Sequence, residues 1–285
     1  HLNDEAYEAH KGVTLLDADI VIGVGPGGDF ATINDALKYL SRYYPEYKNA
    51  GIRAEIRLLS GFVMEEQVFV RNIDLSWVTI SSVDAEVVIN RSALSSSIFQ
   101  SHSPAFGIYN GVGPVINVLF NMDDSGPSNL RHGIYLYNSK IMVMPTKGVK
   151  NAGENGLHAA FGSYAHALET NFSGARSHCI YALATSSILA QGVIADNAGD
   201  SGIAAQDASI INAREASAKN ATRYGIWSNN GSLISAPLAN ARKQDGVDSQ
   251  QDIIVFNGSL INAVSAQGGT NITPNTITVN GIIYK

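Results

Sequence analysis

The chain has 285 residues, 45% of them hydrophobic and only 15% charged, with 27 glycines and a formal net charge of −6. That balance, with a mean hydropathy of +0.01, fits a folded, turn-rich β protein and speaks against a nucleic-acid binder, which carries a basic stripe. No apolar run is long enough to insert in a bilayer, and a lone cysteine, Cys179, excludes an intrachain disulfide and reads as a small packed thiol.

His1-Leu2-Asn3-Asp4-Glu5 does not have the pattern of a signal peptide and reads as a processing boundary, which leaves room for upstream domains. The apolar run Ile20-Val21-Ile22 comes next. Gly23-Val24-Gly25-Pro26-Gly27-Gly28-Asp29 lacks the Lys-Ser/Thr of a phosphate loop and reads as a turn. Thr32 then stands as a helix N-cap with an acid, Asp35, three residues on. Ile33, Leu37 and Leu40 share one helical face, and the helix should end near Tyr43–Pro45, because the residue before a proline avoids the α region. Residues 54–59, 67–70, 77–80 and 86–89 are strand-like. Residues 108–130, with five glycines and prolines from Gly111 to Pro127, are expected to bulge from any regular stack.

From residue 133 the chain repeats every 23 residues. Gly133-Ile134, Gly156-Leu157, Cys179-Ile180, Gly202-Ile203 and Gly225-Ile226 each start the same short pattern. Gly107-Ile108 fits upstream after 26 residues and Asp252-Ile253 downstream after 27, with residues 257–261 echoing residues 230–234. A fixed period of this size marks a solenoid or propeller. Short β-runs between Gly, Asn, Asp and Ser favour coils of a parallel β-helix over helical repeats. The expected fold is therefore all-β: a parallel β-helix of 23-residue coils, with the amphipathic helix plugging its open N-terminal end. Residues 1–50 would form the N-terminal strand and cap, 51–269 the β-helix, and 270–285 a last strand pair or exchanged segment closing the other end. Residues 242–251 are a polar insertion, read as an exposed loop.

The period converts into columns, since equivalent residues of successive coils sit ~4.8 Å apart. Ile134, Leu157, Ile180, Ile203 and Ile226 form a column that must face the core. Side chains alternate along a strand, so Tyr135, His158, Tyr181, Ala204 and Trp227 should face out. The position before the marker reads His132, Asn155, His178, Ser201, Tyr224, and the one before that Arg131, Glu154, Ser177, Asp200, Arg223. Imidazoles among tyrosines can pass a proton near neutral pH, and aromatic rings offer flat faces for sugars. His158, Tyr135, Tyr181 and Arg131 are the candidate catalytic residues, with His132, His178, Arg223, Tyr224 and Trp227 as substrate-binding candidates. The same aromatic column would serve equally as a packing surface against another subunit.

Carboxylates support a rival chemistry. Glu169 and Glu215 share a column two coils apart, roughly 10 Å by the strand spacing, and so do Glu154 and Asp200. That separation is near the upper end used by inverting glycosidases; solvated turn residues are the plainer reading. His166, in a column with Val143 and Leu189, reads as a core histidine. Stacked Asn151, Asn197 and Asn220 read as corner residues. No metal-ligand set has suitable spacing, Asp123-Asp124 is too short for a calcium loop, and no cofactor is expected.

Residues 29–37 (Asp-Phe-Ala-Thr-Ile-Asn-Asp-Ala-Leu), 56–61, 78–82 and the ending 275–284 resemble the capped start and the C-termini of pectate-lyase-like phage tailspikes. The resemblance covers both ends and the coil pattern. It implies a homotrimer of right-handed β-helices on a virion tail, bound to other tail proteins and outside the cell. It also implies binding and cleavage of a bacterial surface polysaccharide, with capsule lyases acting on heparosan or similar uronic-acid polymers as the nearest analogy. Catalytic residues vary among such proteins, so the candidates rest on the columns. A glycoside hydrolase, a glycan-binding fibre module without catalysis and a structural spacer are the alternatives.

Overall fold

A computed structural model gives the structure of the chain over residues 14–45, 51–94, 103–123, 131–243, 248–249 and 251–285. Among the described residues, parallel strands stack as a β-solenoid of about nine turns, with one α-helix. Two sheets dominate. An eight-stranded sheet runs from Val68–Arg71 through Ile134–Tyr137, Leu157–Ala160, Ile180–Leu183, Ser201–Gln206 and Tyr224–Ser228 to Ile253–Val255. A seven-stranded sheet runs from Lys140–Met142 to Gly281–Tyr284. Two four-stranded sheets complete the N-terminal coils.

The repeat is visible in the ladder. Ile134, Leu157, Ile180, Ile203 and Ile226 are successive strand partners, and all are fully buried. Glycine precedes four of the five, and there it has a packing cause. A Cβ on Gly156 would lie 2.6 Å from the Cys179 carbonyl oxygen, and one on Gly225 2.2 Å from that of Ala241. Cys179 fits this row as a buried thiol with Sγ 3.6 Å from the Asp196 carbonyl oxygen.

A second column was not anticipated. Ser139, Ser163, Ser186, Ser209, Ser232 and Ser259 are all buried. Each Oγ accepts the backbone N–H of the preceding coil, at 3.1–3.2 Å, from Gly111 through Ser232. Three of these hydroxyls also donate to a carbonyl of their own coil: Ser139 to Tyr137, Ser163 to Ala160 and Ser186 to Leu183. The ladder thereby satisfies backbone donors at a corner where no strand partner reaches them.

The helix spans Ile33–Leu40, with Thr32 Oγ1 accepting from Asp35 N–H. Ile33, Ala36, Leu37 and Leu40 join the main core. Glu66, from a later coil, accepts from the N–H groups of Ile33 (2.5 Å) and Asn34 (3.1 Å), which ties the helix start to the solenoid. The helix stops before Tyr43–Pro45, which pairs in parallel with Thr14–Leu16.

Four expectations need correction. The partner of Ile134 is Phe106, and Gly107 lies beside Tyr135; a shift of two keeps the inward face, and Phe106 packs on Phe120 at 5.1 Å. Residues 108–123 do not bulge: Phe106–Tyr109, Val115–Asn117 and Leu119–Met122 are strands of the stack, while residues 124–130 lie outside the described residues. His166 is on the outer side of its strand, level with Leu189 as its column implied but paired with Met142 rather than Val143, because Lys140 and Tyr164 are 24 residues apart. The closing segment adds a single strand, Gly281–Tyr284, parallel to Ser259–Asn262. Of the polar insertion, residues 244–247 and 250 lie outside the described residues, as do 1–13.

Candidate active site

The outward column of the eight-stranded sheet assembles as predicted in register: Tyr135, His158, Tyr181, Ala204 and Trp227 are ladder partners. Their rings touch in sequence. Tyr135 meets His158 at 5.0 Å, His158 meets Tyr181 at 4.7 Å, Tyr181 meets His178 at 4.8 Å and His178 stacks on Trp227 at 5.9 Å. His132 lies against both Tyr135 (5.5 Å) and His158 (5.1 Å). Tyr224 continues the run to Trp227 and Phe256.

Side chains of the preceding row hold the next coil. His132 Nδ1 accepts from Asn155 N–H at 3.3 Å, and Asn155 Oδ1 accepts from His178 N–H at 3.1 Å. Asn155 Nδ2 is 3.4 Å from His158 Nδ1. With its Nδ1 an acceptor, neutral His132 carries its proton on Nε2 and donates to Glu154, 3.2 Å away.

Exposure divides the column in two. His132 is 0% exposed, Tyr135 and His158 4%, and Arg131 8%. Arg131 Nε donates to the Leu94 carbonyl, and burial, then the neighbouring Arg91, lowers its pKa. The other half opens into a cleft of about 450 Å3 lined by His178, Tyr181, Asp200, Gln206, Arg223, Tyr224, Trp227, Asn229, Phe256 and Asn257. So three of the four catalytic candidates are beneath the surface, and Tyr181 and the substrate-binding candidates His178, Arg223, Tyr224 and Trp227 reach the cleft. Asp200 joins them: its Oδ2 is 3.8 Å from Arg223 Nη1, and its Oδ1 accepts from Ser201 Oγ–H at 2.7 Å. Arg223 in turn lies over the Tyr224 ring at 4.7 Å.

The protonation states are set by burial. His178 is pushed down to about 4, chiefly by desolvation and against the pull of Asp200, so it is a neutral imidazole at neutral pH. Tyr181 is pushed up to about 12 by burial and then by Asp207, so it keeps its proton, which it donates to Gln206 Oε1 at 3.0 Å. Glu154 is raised to about 7 by desolvation. His178 Nδ1 and Trp227 Nε1 are buried with no hydrogen-bond partner among the described residues.

Glu169 and Glu215 stay apart from this cluster. With Thr146, Gly192 and Leu238 they occupy a corner after the seven-stranded sheet, where all five residues have φ between 55° and 66°. Both are exposed, and Glu215 pairs with its neighbour Arg214 at 3.0 Å. Asn151, Asn197 and Asn220 likewise hold positive φ at a corner, as their column suggested. Gln206, Asn229, Phe256 and Asn257 escaped the sequence reading. Gln206 occupies the column of Tyr137 and Leu183, two places beyond the aromatic one on the same outward side, and that alternation was the available signal. No protein-family model matches the chain, and no curated protein is significantly similar to it.

Proposed function

We propose that the protein is a tailspike-type depolymerase that cleaves a bacterial capsular or exopolysaccharide by β-elimination at a uronic acid. The reading includes a homotrimer of right-handed β-helices on a virion tail. One observation carries the chemistry: a neutral imidazole (His178), a protonated phenol (Tyr181) and a guanidinium (Arg223) line a single aromatic-walled cleft. Arg223 pairs with the uronate carboxylate and makes the C5 proton more acidic. His178 takes that proton, the C5–H electrons form the C4=C5 double bond, and the C4–O bond breaks. Tyr181 gives its proton to the leaving oxygen. The nearby substrate anion raises the basicity of His178 above that of the empty site. His158 packs its ring on Tyr181 at 4.7 Å, and Tyr135 packs on His158 at 5.0 Å.

A second reading has its own observation. Glu154, held up at about 7, carries the proton a hydrolase acid needs, and Asp200 lies two coils further along the same row. The test is incubation of the protein with heparosan, hyaluronan, alginate and bacterial capsule extracts, following ultraviolet absorbance of unsaturated uronate and chain length together. Rising absorbance with shortening, lost in Tyr181→Phe, supports elimination. Shortening without absorbance supports hydrolysis, and binding without shortening makes the protein a glycan-binding module.

A further inference from the structure

The polar side of the cleft has a direction. Gln206, Asn229 and Asn257 line it, and Asp207 and Asn230 follow the first two in sequence. The coils on either side of Asp207 place Ala184 and Asn230 at the same corner, and all three have φ between 50° and 56°. A carboxylate accepts and does not donate, so an amide that meets Asp207 must turn its NH2 toward it. Gln206 Nε2 donates to Asp207 Oδ2 at 3.3 Å, and Asn230 Nδ2 donates to Oδ1 at 2.7 Å.

The remaining polarity follows from that anchor. Gln206 Oε1 is left to accept from the Tyr181 hydroxyl at 3.0 Å. Asn230 Oδ1 is left to accept from Asn257 Nδ2 at 3.0 Å, and the same NH2 donates to Asn229 Oδ1 at 2.9 Å. Asp207 thereby sets the orientation of four amides, those of Gln206, Asn230, Asn257 and Asn229. The Asn229 NH2 and Asn257 Oδ1 make no hydrogen bond among the described residues. A donor and an acceptor on neighbouring coils are thus presented together to the cleft, and Phe256 and Trp227 give that cleft an apolar wall.

We propose that Asn229 and Asn257, oriented by Asp207, determine specificity by reading the acetamido group of an N-acetylated sugar next to the uronate, an inference that rests on the elimination reading above. An acetamido group has one C=O, one N–H and a methyl. Its carbonyl accepts from the Asn229 NH2, its N–H donates to Asn257 Oδ1, and its methyl goes to the apolar wall. A hydroxyl has no methyl to place there. A second carboxylate would meet Asn257 Oδ1 with nothing to donate and would feel the charge of Asp207. Polymers that alternate uronate with an acetamido sugar are therefore accepted, and polymers of uronate alone are rejected. Asp207 is not among the residues lining the cleft, so its part is positioning.

The experiment measures binding and rates of unsaturated-uronate formation by the whole protein on two pairs of polymers. Heparosan and hyaluronan alternate uronate with an acetamido sugar; alginate and polygalacturonate are uronate alone. Wild type, Asn229→Asp, Asn229→Ser and Asp207→Asn are compared, with a melting temperature for each. Wild type should favour the acetamido polymers by about 100-fold or more in kcat/KM. Asn229→Asp replaces the donor with an acceptor and should raise KM for them about tenfold while kcat stays within about twofold. Asn229→Ser should shift KM the same way by less, and it decides the matter if the Asp variant melts early. Asp207→Asn frees the amides to turn over and should raise KM about threefold to fivefold. A merely structural loss would lower kcat through the folded fraction and leave KM unmoved. Cleavage of alginate or polygalacturonate as fast as of heparosan and hyaluronan overturns the acetamido site and leaves the elimination reading standing. An acetamido preference with KM unchanged in all three variants overturns the assignment to these residues. Neither cleavage nor binding of any of the four polymers overturns both readings.

Discussion

The imidazole Nε2 of His132, wholly buried, stands 3.2 Å from the carboxylate of Glu154. Burial holds that carboxyl at about 7, against 4.5 for the free side chain. Below about 4.5 the group is protonated in both the folded and unfolded chains and has no effect. Between the two values the unfolded chain ionises first, so stability falls as pH rises; above about 7 the loss is complete. Glu154→Gln keeps an acceptor for His132 and removes the ionisation. The variant should gain on the order of 1–2 kcal/mol over wild type at about pH 8 and nothing at about pH 4, after discounting for the partial exposure of Glu154. Urea unfolding at both values checks the difference.

Ser186→Ala takes away the oxygen that accepts from Ser163 N–H at 3.2 Å. That donor is buried and has no other acceptor close by in the ladder, so the cost should be about 1–3 kcal/mol. Ser186→Thr keeps the oxygen and should recover part of the loss. Denaturant midpoints of the three proteins decide it.

Gly225→Ala places a Cβ 2.2 Å from a carbonyl oxygen of the neighbouring segment at Ala241. The obstacle is backbone and cannot swing aside. A loss of about 1–3 kcal/mol is expected, as for other overpacked interiors. The glycine has no positive φ, so the effect reports packing and not strain; Gly231→Ala, where a Cβ meets nothing within 4 Å but φ is 71°, should show the opposite balance.

Cys179 is fully buried, and burial pushes its thiol up to about 12. A disulfide reagent at about pH 8 should leave the folded protein unmodified and titrate one thiol after unfolding. Fast modification of the folded chain would mean that this part of the stack opens.

Much of the fold was legible because ladder partners in a solenoid are a fixed count apart. Ile134 to Ile226 could be placed inside, and Tyr135 to Trp227 outside, without coordinates. The count fails where the coil length changes. Phe106 was displaced by two positions, and the extra residue before Tyr164 moved the partner of His166 from Val143 to Met142. The site was legible as a set of neighbours but not as a surface. Alternation says that His158 and Tyr181 point the same way; it does not say that His158 is covered and Tyr181 open, which depends on everything else that packs there. The carboxylate column followed its plainer reading, solvated turn residues, for a simple reason. Glu169 and Glu215 alternate with Gly192, and a glycine in such a column signals a left-handed corner. The serine ladder was present in the same columns and carries no hydrophobic or catalytic signal to draw notice.

The rungs of that ladder are unequally spaced along the chain: 28, 24, 23, 23, 23 and 27 residues separate successive donors and acceptors. The bond length hardly changes over this range. Extra residues are therefore taken up elsewhere around the coil, and the serine corner works as a registration edge. Whole coils can be removed or duplicated between Ser163 and Ser232 with every rung re-formed, so the length of the molecule can vary in discrete steps, whereas a single residue gained at the serine corner itself would break the count for the coils on either side.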